Sequence, residues 1–209
     1  IKICTFGAID IKNGAVYGDM LKWRTAKTKE LFAYFVHNGG GPVTKAEIVR
    51  NVFNIAENDK RATEIFNTTM YNLRKLVKKV FSDNLFSLSR GKYNMDLSCA
   101  AVDIIEFRKA ADRFAAEKSA SAAAKLVELY KGEYMKDVPA KWKGDTPQMY
   151  EDIFCNAAEV YLNALAADGK KDAAAESAMV IWNEKCRSDR IKGIITEIFN
   201  KNGIKAELK

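Results

Sequence analysis

Side chains of the kinds that contact nucleic acid are concentrated between positions 67 and 79. They combine amide, hydroxyl, aromatic and cationic groups: Asn67, Thr68, Tyr71, Asn72, Arg74, Lys75, Lys78 and Lys79. Asn can make paired hydrogen bonds to adenine, Thr can touch a thymine methyl group, and Lys or Arg can hold guanine or phosphate. These residue types therefore predict a surface that binds DNA, provided that a helix presents them together.

The apolar residues of the same segment predict that helix. At about 100° per residue, they cluster on one side of a helical wheel: Ala62, Phe66, Met70, Leu73, Val77 and Val80. The polar set falls on the opposite side, with Arg74 at its margin. We therefore predict a helix from about Ala62 to Phe81 whose apolar side joins the core.

A solvated, lysine-rich face is the alternative interpretation of this polar side. Such a face usually mixes Glu with Lys, whereas residues 65–82 contain no acidic residue. The segment that follows, LFSLSRGKYNMDL, predicts a β-hairpin with Arg90 and Lys92 near its tip. This second group of basic residues favours DNA binding over a merely solvated surface.

The charge of the whole chain is unevenly distributed. Its 209 residues carry a formal net charge of +7. Residues 1–98 contain 16 Lys+Arg and 9 Asp+Glu, whereas residues 99–209 contain 18 of each. This asymmetry predicts a basic binding domain at 1–98, followed at 99–209 by a neutral domain with another role.

The elements around the basic helix predict a winged helix. Residues 1–11 and the turn residues 13–14 predict a hairpin or small sheet. An amphipathic first helix halts at the glycines 39–41, and a capping box of Thr44 and Glu47 opens a second helix. Strand, three helices and a terminal hairpin is the order of elements in a winged helix.

The second half of the chain is predicted to be wholly helical. Five helices are expected between Gly and Pro breaks, at roughly 103–117, 119–135, 146–168, 170–186 and 189–202. Alanine at close-packing positions is typical of tetratricopeptide-like helix pairs, although a repeat of about 34 residues is faint. The expected fold class is an α+β winged helix followed by an all-α tetratricopeptide-like domain.

The remaining reactive residues predict no catalytic, cofactor or metal site. The four cysteines are widely separated, with a single histidine in the chain, and we interpret them as small buried apolar residues. No nucleophile with its base and no nucleotide-binding loop is evident, so an enzyme is not expected. No apolar run approaches the ~18 residues of a membrane span, which favours a cytoplasmic protein without membrane contact.

Together these parts resemble a known family. WRTAKTKELFAYFVHNGGGPVTKAEIVRNVF, NTTMYNLRKLVKKV and the hairpin sequence are similar to the OmpR/PhoB-type winged-helix effector domain. VDIIEFRKAADRF, then AAKLVELYKGEYM and a helical tail, resemble the bacterial transcriptional activation domain of SARP-type activators and some response regulators. The order of these parts is more specific than any one motif.

The resemblance implies a sequence-specific transcriptional activator. It implies that helix 62–81 enters the major groove of double-stranded DNA, with the wing near the backbone or minor groove. It further implies a homodimer on repeated sites, contact of the helical domain with RNA polymerase, and control by an upstream receiver domain in a two-component system. The alternative is a protein-interaction scaffold that uses the helical domain, with non-specific or no DNA binding.

The resemblance also assigns individual positions. The arginine of the family's Leu-Arg pair falls on Arg74, and a base-contacting position two residues earlier falls on Asn72. The family's wing usually ends in Gly-Tyr-Arg, and Asn94 stands in place of that arginine. Either Arg90 or Lys92 then takes the groove contact, or the wing contact is weaker.

Overall fold

The computed structural model describes residues 1–12, 22–56, 58–81, 85–206 and 208. The chain divides into two compact units. Unit 1 comprises Ile1–Val102 and Met135–Gly144, and unit 2 comprises Asp103–Tyr134 and Asp145–Lys209. The described residues are mostly helical with small sheets, which fits a winged helix combined with a helical domain.

Two small sheets and a set of helices make up the described part of unit 1. In chain order the elements are β1 Lys2–Cys4, β2 Asp10–Lys12, α1 Ala26–His37, β3 Val43–Thr44, α2 Lys45–Ile48 with a π-helical turn Val49–Phe53, α3 Ala62–Val77, β4 Phe86–Ser89, β5 Lys92–Met95, β6 Ala101–Val102 and a 3₁₀ turn Lys141–Lys143. One sheet has the order β2-β1-β6, and the other has the order β3-β5-β4. The expected opening sheet is present, and its predicted turn at 13–14 lies outside the described residues.

Local signals in the sequence set the ends of the first two helices. At the start of α1, the Thr25 hydroxyl accepts a hydrogen bond from the N–H of Thr28 at 3.1 Å. Thr44 and Glu47 form the predicted capping box, with N–H to side-chain distances of 3.2 and 2.7 Å. The hydrogen bonds that Thr44 donates lower the pKa of the Glu47 carboxyl group.

The glycine run after α1 also positions the wing. The Gly40 carbonyl accepts a hydrogen bond from the N–H of Met95 at 2.6 Å. A Cβ atom at Gly40 would lie 2.3 Å from the Met95 carbonyl oxygen, and the φ of +94° is one that other residues rarely adopt. Glycine is therefore required at position 40, both for the turn that follows α1 and for the close approach of β5 to the Gly40 backbone.

Aromatic contacts attach the β4–β5 hairpin to the helices. Phe35 of α1 packs edge-on against Phe86 with ring centroids 5.2 Å apart, and Phe66 of α3 packs similarly against Tyr93 at 5.1 Å. Phe35 and Phe66 are fully buried. Because edge-to-face pairs are directional as well as apolar, these contacts orient the hairpin relative to α3.

A segment from the second half of the sequence, Met135–Gly144, packs within unit 1. Its first two N–H groups donate to the carbonyl oxygens of Thr5 and Gly7 at 2.7 and 2.9 Å. The Asp137 carboxylate accepts a hydrogen bond from the N–H of Ile9 at 2.8 Å. The segment thus supplies partners for backbone groups that follow β1.

Trp142 anchors the far end of the same segment. Its indole N–H donates to the Glu30 carboxylate at 3.3 Å. Its ring contacts Tyr34 and His37, with centroid separations of 5.3 and 5.0 Å. The half-buried indole therefore fastens the segment to α1.

Unit 2 contains all five predicted helices within its described residues. They are α4 Asp103–Glu117, α5 Ala120–Leu129, α6 Thr146–Ala167, α7 Lys171–Val180 with a π-helical turn Ile181–Lys185, and α8 Asp189–Asn202. The prediction of a helix over 119–135 was too long, because Tyr130 is extended and ends α5 at Leu129. Among the described residues, no helix combines the length and apolar character that crossing a membrane requires.

The core of unit 2 is built around α6. Phe154 stacks on Tyr130 with ring centroids 4.2 Å apart, and both side chains are buried. The Lys185 ammonium donates to the carbonyl oxygens of Val127 and Tyr130, both at 2.7 Å. This cation satisfies carbonyls at the end of α5 that have no helical partner.

Replacing Asp137 by Ala tests the role of the segment in unit 1. The N–H of Ile9, a residue that is 2% exposed, would lose its acceptor, and Lys29 would lose its ion-pair partner. We therefore expect the free energy of unfolding to fall by about 1–3 kcal/mol, mainly from the unsatisfied N–H. Urea unfolding measures the change. Lys136→Ala is the matched control, because that side chain is exposed and only its backbone bonds to the unit. Equal stability of the two variants would contradict the assigned role.

Candidate nucleic-acid interface

The buried side of α3 follows the predicted stripe with small differences. Its buried residues are Ala62, Phe66, Thr69, Met70, Leu73, Leu76 and Val77. The pattern missed Thr69 and Leu76, which lie at the margin of the stripe and are each 8% exposed. It also placed Val80 in the core, whereas Val80 is half-buried because it follows the end of the helix.

Most of the residues predicted to contact DNA are exposed. They are Asn67, Thr68, Tyr71, Arg74, Lys75, Lys78 and Lys79 on or just after α3, with Arg90 and Lys92 on the hairpin. Asn72 is half-buried. Exposure makes these side chains accessible to a large anionic partner, while their individual roles in DNA binding remain predictions.

The basic end of the helix differs from the prediction. The helix ends at Val77 rather than Phe81. The N–H groups of Lys79 and Val80 donate to carbonyls three residues earlier, at 3.2 and 2.9 Å. Lys78 is the cap residue, and its N–H still donates to the Arg74 carbonyl at 3.0 Å. Lys79 lies on a tightened turn beyond it, where i to i−3 bonds replace the i to i−4 pattern.

The β4–β5 hairpin follows this helix end in the sequence and belongs to the same unit. It carries two further cations, Arg90 and Lys92. Ser89 pairs with Lys92, so the loop is the two residues Arg90 and Gly91, with φ values of +48° and +75°. Positive φ at both loop residues is the type I′ turn, whose twist matches that of the strands. Leu88, which the sequence did not single out, is 58% exposed on the same hairpin.

A concavity of about 540 Å³ lies between α3 and the start of β4. It is lined by Tyr71, Arg74, Lys75, Val77, Lys78, Leu85 and Phe86. Cations and apolar atoms share its wall, and Tyr71 is 62% exposed at its edge. A basic concavity of this kind suits a phosphate and its sugar, which are the groups that most protein–DNA hydrogen bonds contact.

Asn72 has a protein partner that sequence reasoning missed. The Arg24 guanidinium donates to Asn72 Oδ1 at 3.0 Å. That oxygen is the acceptor to which an adenine amino group would donate, and the bond occupies one of its two lone pairs. The two residues are 48 positions apart, so no local pattern could indicate the contact.

Known proteins resemble this chain in fold rather than in sequence. No protein-family model matches it, and no curated protein sequence does. A match is found among solved structures. The chain is similar to Mycobacterium tuberculosis EmbR in complex with a low-affinity phosphopeptide, with a TM-score of 0.61, 11% identity and 96% of this chain covered. The chain spans 65% of the length of that EmbR chain, and at this identity the likeness shows a shared fold.

A pair of adjacent substitutions tests the division of α3 into two sides. Leu73 is fully buried and Arg74 is exposed. We expect Leu73→Ala to lower the free energy of unfolding by about 2–5 kcal/mol, and Arg74→Ala to change it by no more than about 0.5 kcal/mol. Urea unfolding of both variants measures the difference. A large loss in Arg74→Ala would show that its side chain supports the fold.

Proposed function

We propose that this protein is a DNA-binding transcriptional regulator of the SARP type. The observation that carries the proposal is the exposed side of α3, which joins cations to amide, hydroxyl and aromatic groups without an acidic residue over 65–81. The fold likeness to EmbR over 96% of the chain supports a SARP-like regulator.

In this proposal α3 enters the major groove of double-stranded DNA. The polar side chains on the solvent side of α3 and on the turn after it divide by chemistry into two groups. The readers of base edges are Asn67, Thr68, Tyr71 and Asn72, and the residues that hold phosphate are Arg74, Lys75, Lys78 and Lys79. Arg90 and Lys92 contact the backbone or minor groove beside it. The hairpin's aromatic packing against α1 and α3 supports this arrangement, because it keeps the wing in a constant position next to the helix.

The two parts of the chain then have different roles. Residues 1–98, with Met135–Gly144 packed on them, form the winged-helix DNA-binding domain, and the helices of 99–209 form a tetratricopeptide-like bacterial transcriptional activation domain. The second domain mediates dimerisation on DNA and contact with RNA polymerase, and the protein acts as an activator. Response to a receiver domain, as in two-component systems, belongs to the same proposal. The neutral charge of 99–209 supports a protein partner for this part rather than DNA.

A protein-interaction scaffold without specific DNA binding is the second candidate. It is favoured by a concavity of about 560 Å³ in unit 2, lined by residues of α4 and α6 with the intervening Lys118. Its wall mixes apolar and polar groups, including Phe114, Val160 and Asn163. A scaffold would use this surface, whereas a regulator needs the exposed side of α3.

Selection of random duplex DNA on the protein separates the two candidates. A regulator should enrich a short repeated motif, and its affinity for that motif should exceed its affinity for unrelated DNA at every salt concentration. Sequence-blind binding that disappears as salt rises, or no binding, would favour the scaffold.

Substitutions at Asn72 and Lys78 test which residue reads a base and which holds a phosphate on the selected site. We expect Asn72→Ala to lose discrimination at one base position, by about 1–3 kcal/mol. Lys78→Ala should weaken binding to all sequences about equally and lower the slope of log K against log salt by about one, because one phosphate contact is lost. Titrations by fluorescence anisotropy measure both effects.

The control for both substitutions is Lys171→Ala, which removes one exposed lysine from the first turn of α7. It should leave the affinity and the salt slope unchanged. If Asn72→Ala and Lys78→Ala behave alike, the assignment of reading and holding roles is wrong. If Lys171→Ala reproduces the loss in Lys78→Ala, the effect comes from net charge rather than from a contact.

A further inference from the structure

Two thiols and a carboxylate converge in the core of unit 2. Glu151 and Cys155 are four residues apart on α6, so they share one face of that helix. Cys186 follows the π-helical turn that ends α7. Cys155 is fully buried, Cys186 is 8% exposed, and Glu151 is half-buried. Of the other two cysteines, Cys99 is exposed and Cys4 is half-buried, so the interpretation of all four as buried was wrong.

The three groups are spaced like metal ligands. Cys155 Sγ, Cys186 Sγ and a Glu151 carboxylate oxygen all lie within 4.8 Å of one another. In a tetrahedral zinc site with Zn–S bonds of about 2.3 Å, two sulfur ligands are about 3.8 Å apart. Small side-chain movements would therefore bring the three ligand atoms to bonding distance of a shared ion.

Each of the two sulfurs has polar neighbours. A hydrogen bond from the Cys155 thiol lowers the pKa of Cys186 and raises the pKa of Cys155. The Ser188 hydroxyl oxygen lies 3.3 Å from Cys186 Sγ and also lowers the pKa of Cys186.

Apolar packing of the two thiols does not explain why the Glu151 carboxylate lies beside them. Its negative charge raises the pKa of both cysteines. No hydrogen bond or ion pair of Glu151 occurs among the described residues. The nearby Arg190 guanidinium bonds instead to Asp152 and Asn156, at 2.5 and 2.7 Å. A divalent cation would attract the carboxylate and both sulfurs once they are deprotonated, since an ion is the largest local charge in such a site.

We propose that Glu151, Cys155 and Cys186 bind a divalent cation of the zinc type, with water as the fourth ligand. Two thiolates favour Zn²⁺ over Mg²⁺ or Ca²⁺, which prefer sites made wholly of oxygen atoms. The ion would join α6 to the chain between α7 and α8, and its binding would stabilise unit 2. This inference is independent of DNA binding.

Cobalt(II) is the probe that tests the site in the 209-residue chain, reduced and stripped of metal. Co²⁺ should give a thiolate-to-cobalt charge-transfer absorption band with the intensity of tetrahedral coordination, and Zn²⁺ should displace it. Cys155→Ser and Cys186→Ser should each lose the band or weaken Co²⁺ affinity by at least about 10-fold. Cys99→Ser is the matched control, because Cys99 is exposed outside the cluster, and it should retain the full band.

Glu151→Gln keeps the test decisive if the cysteine variants fail to fold. Glu151 is half-buried, so circular dichroism should show an intact fold while Co²⁺ affinity falls at least about 10-fold. Wild-type affinity in this variant would overturn the three-ligand site. Absence of a charge-transfer band in the unmodified protein would overturn the proposal outright. So would a band that persists in both cysteine variants.

Discussion

Burial of the apolar stripe of α3 is the constraint on which the candidate interface depends. Phe66 and Leu73 are almost completely buried, and Phe66 also contacts Tyr93 of the hairpin. Each such side chain contributes about 1.5–3 kcal/mol when it leaves water. Because a helix has only one rotation about its axis that buries this stripe, the same contacts decide which residues face solvent.

The cations at the end of α3 repel one another. Arg74 and Lys75 lie in its last turn and Lys78 and Lys79 follow it directly, and like charges four residues apart cost about 0.2–0.5 kcal/mol per pair even on a continuous helix. The apolar contribution is several times larger, so the core can hold a row of cations together. An anionic polymer bound along this row would neutralise it and remove the repulsion.

Unit 1 depends on more than its own consecutive sequence. Met135–Gly144 provides acceptors and donors to the residues after β1, and its Trp142 packs on α1. Buried N–H and C=O groups need partners wherever these lie in the chain. A contiguous stretch ending near residue 98 or 102 would therefore lack part of the packing seen here.

Elements with local causes can be predicted from the sequence of this protein. The capping box of Thr44 and Glu47, the glycine stop after α1, the hairpin with its turn near Arg90 and the two sides of α3 all follow from patterns a few residues long. Contacts between distant groups depend instead on how the chain folds as a whole. The Arg24–Asn72 hydrogen bond, the return of Met135–Gly144 and the convergence of Glu151 and Cys155 with Cys186 join residues far apart in the chain. Helical and strand periodicity carry no information about such pairs, because their proximity depends on how whole elements pack.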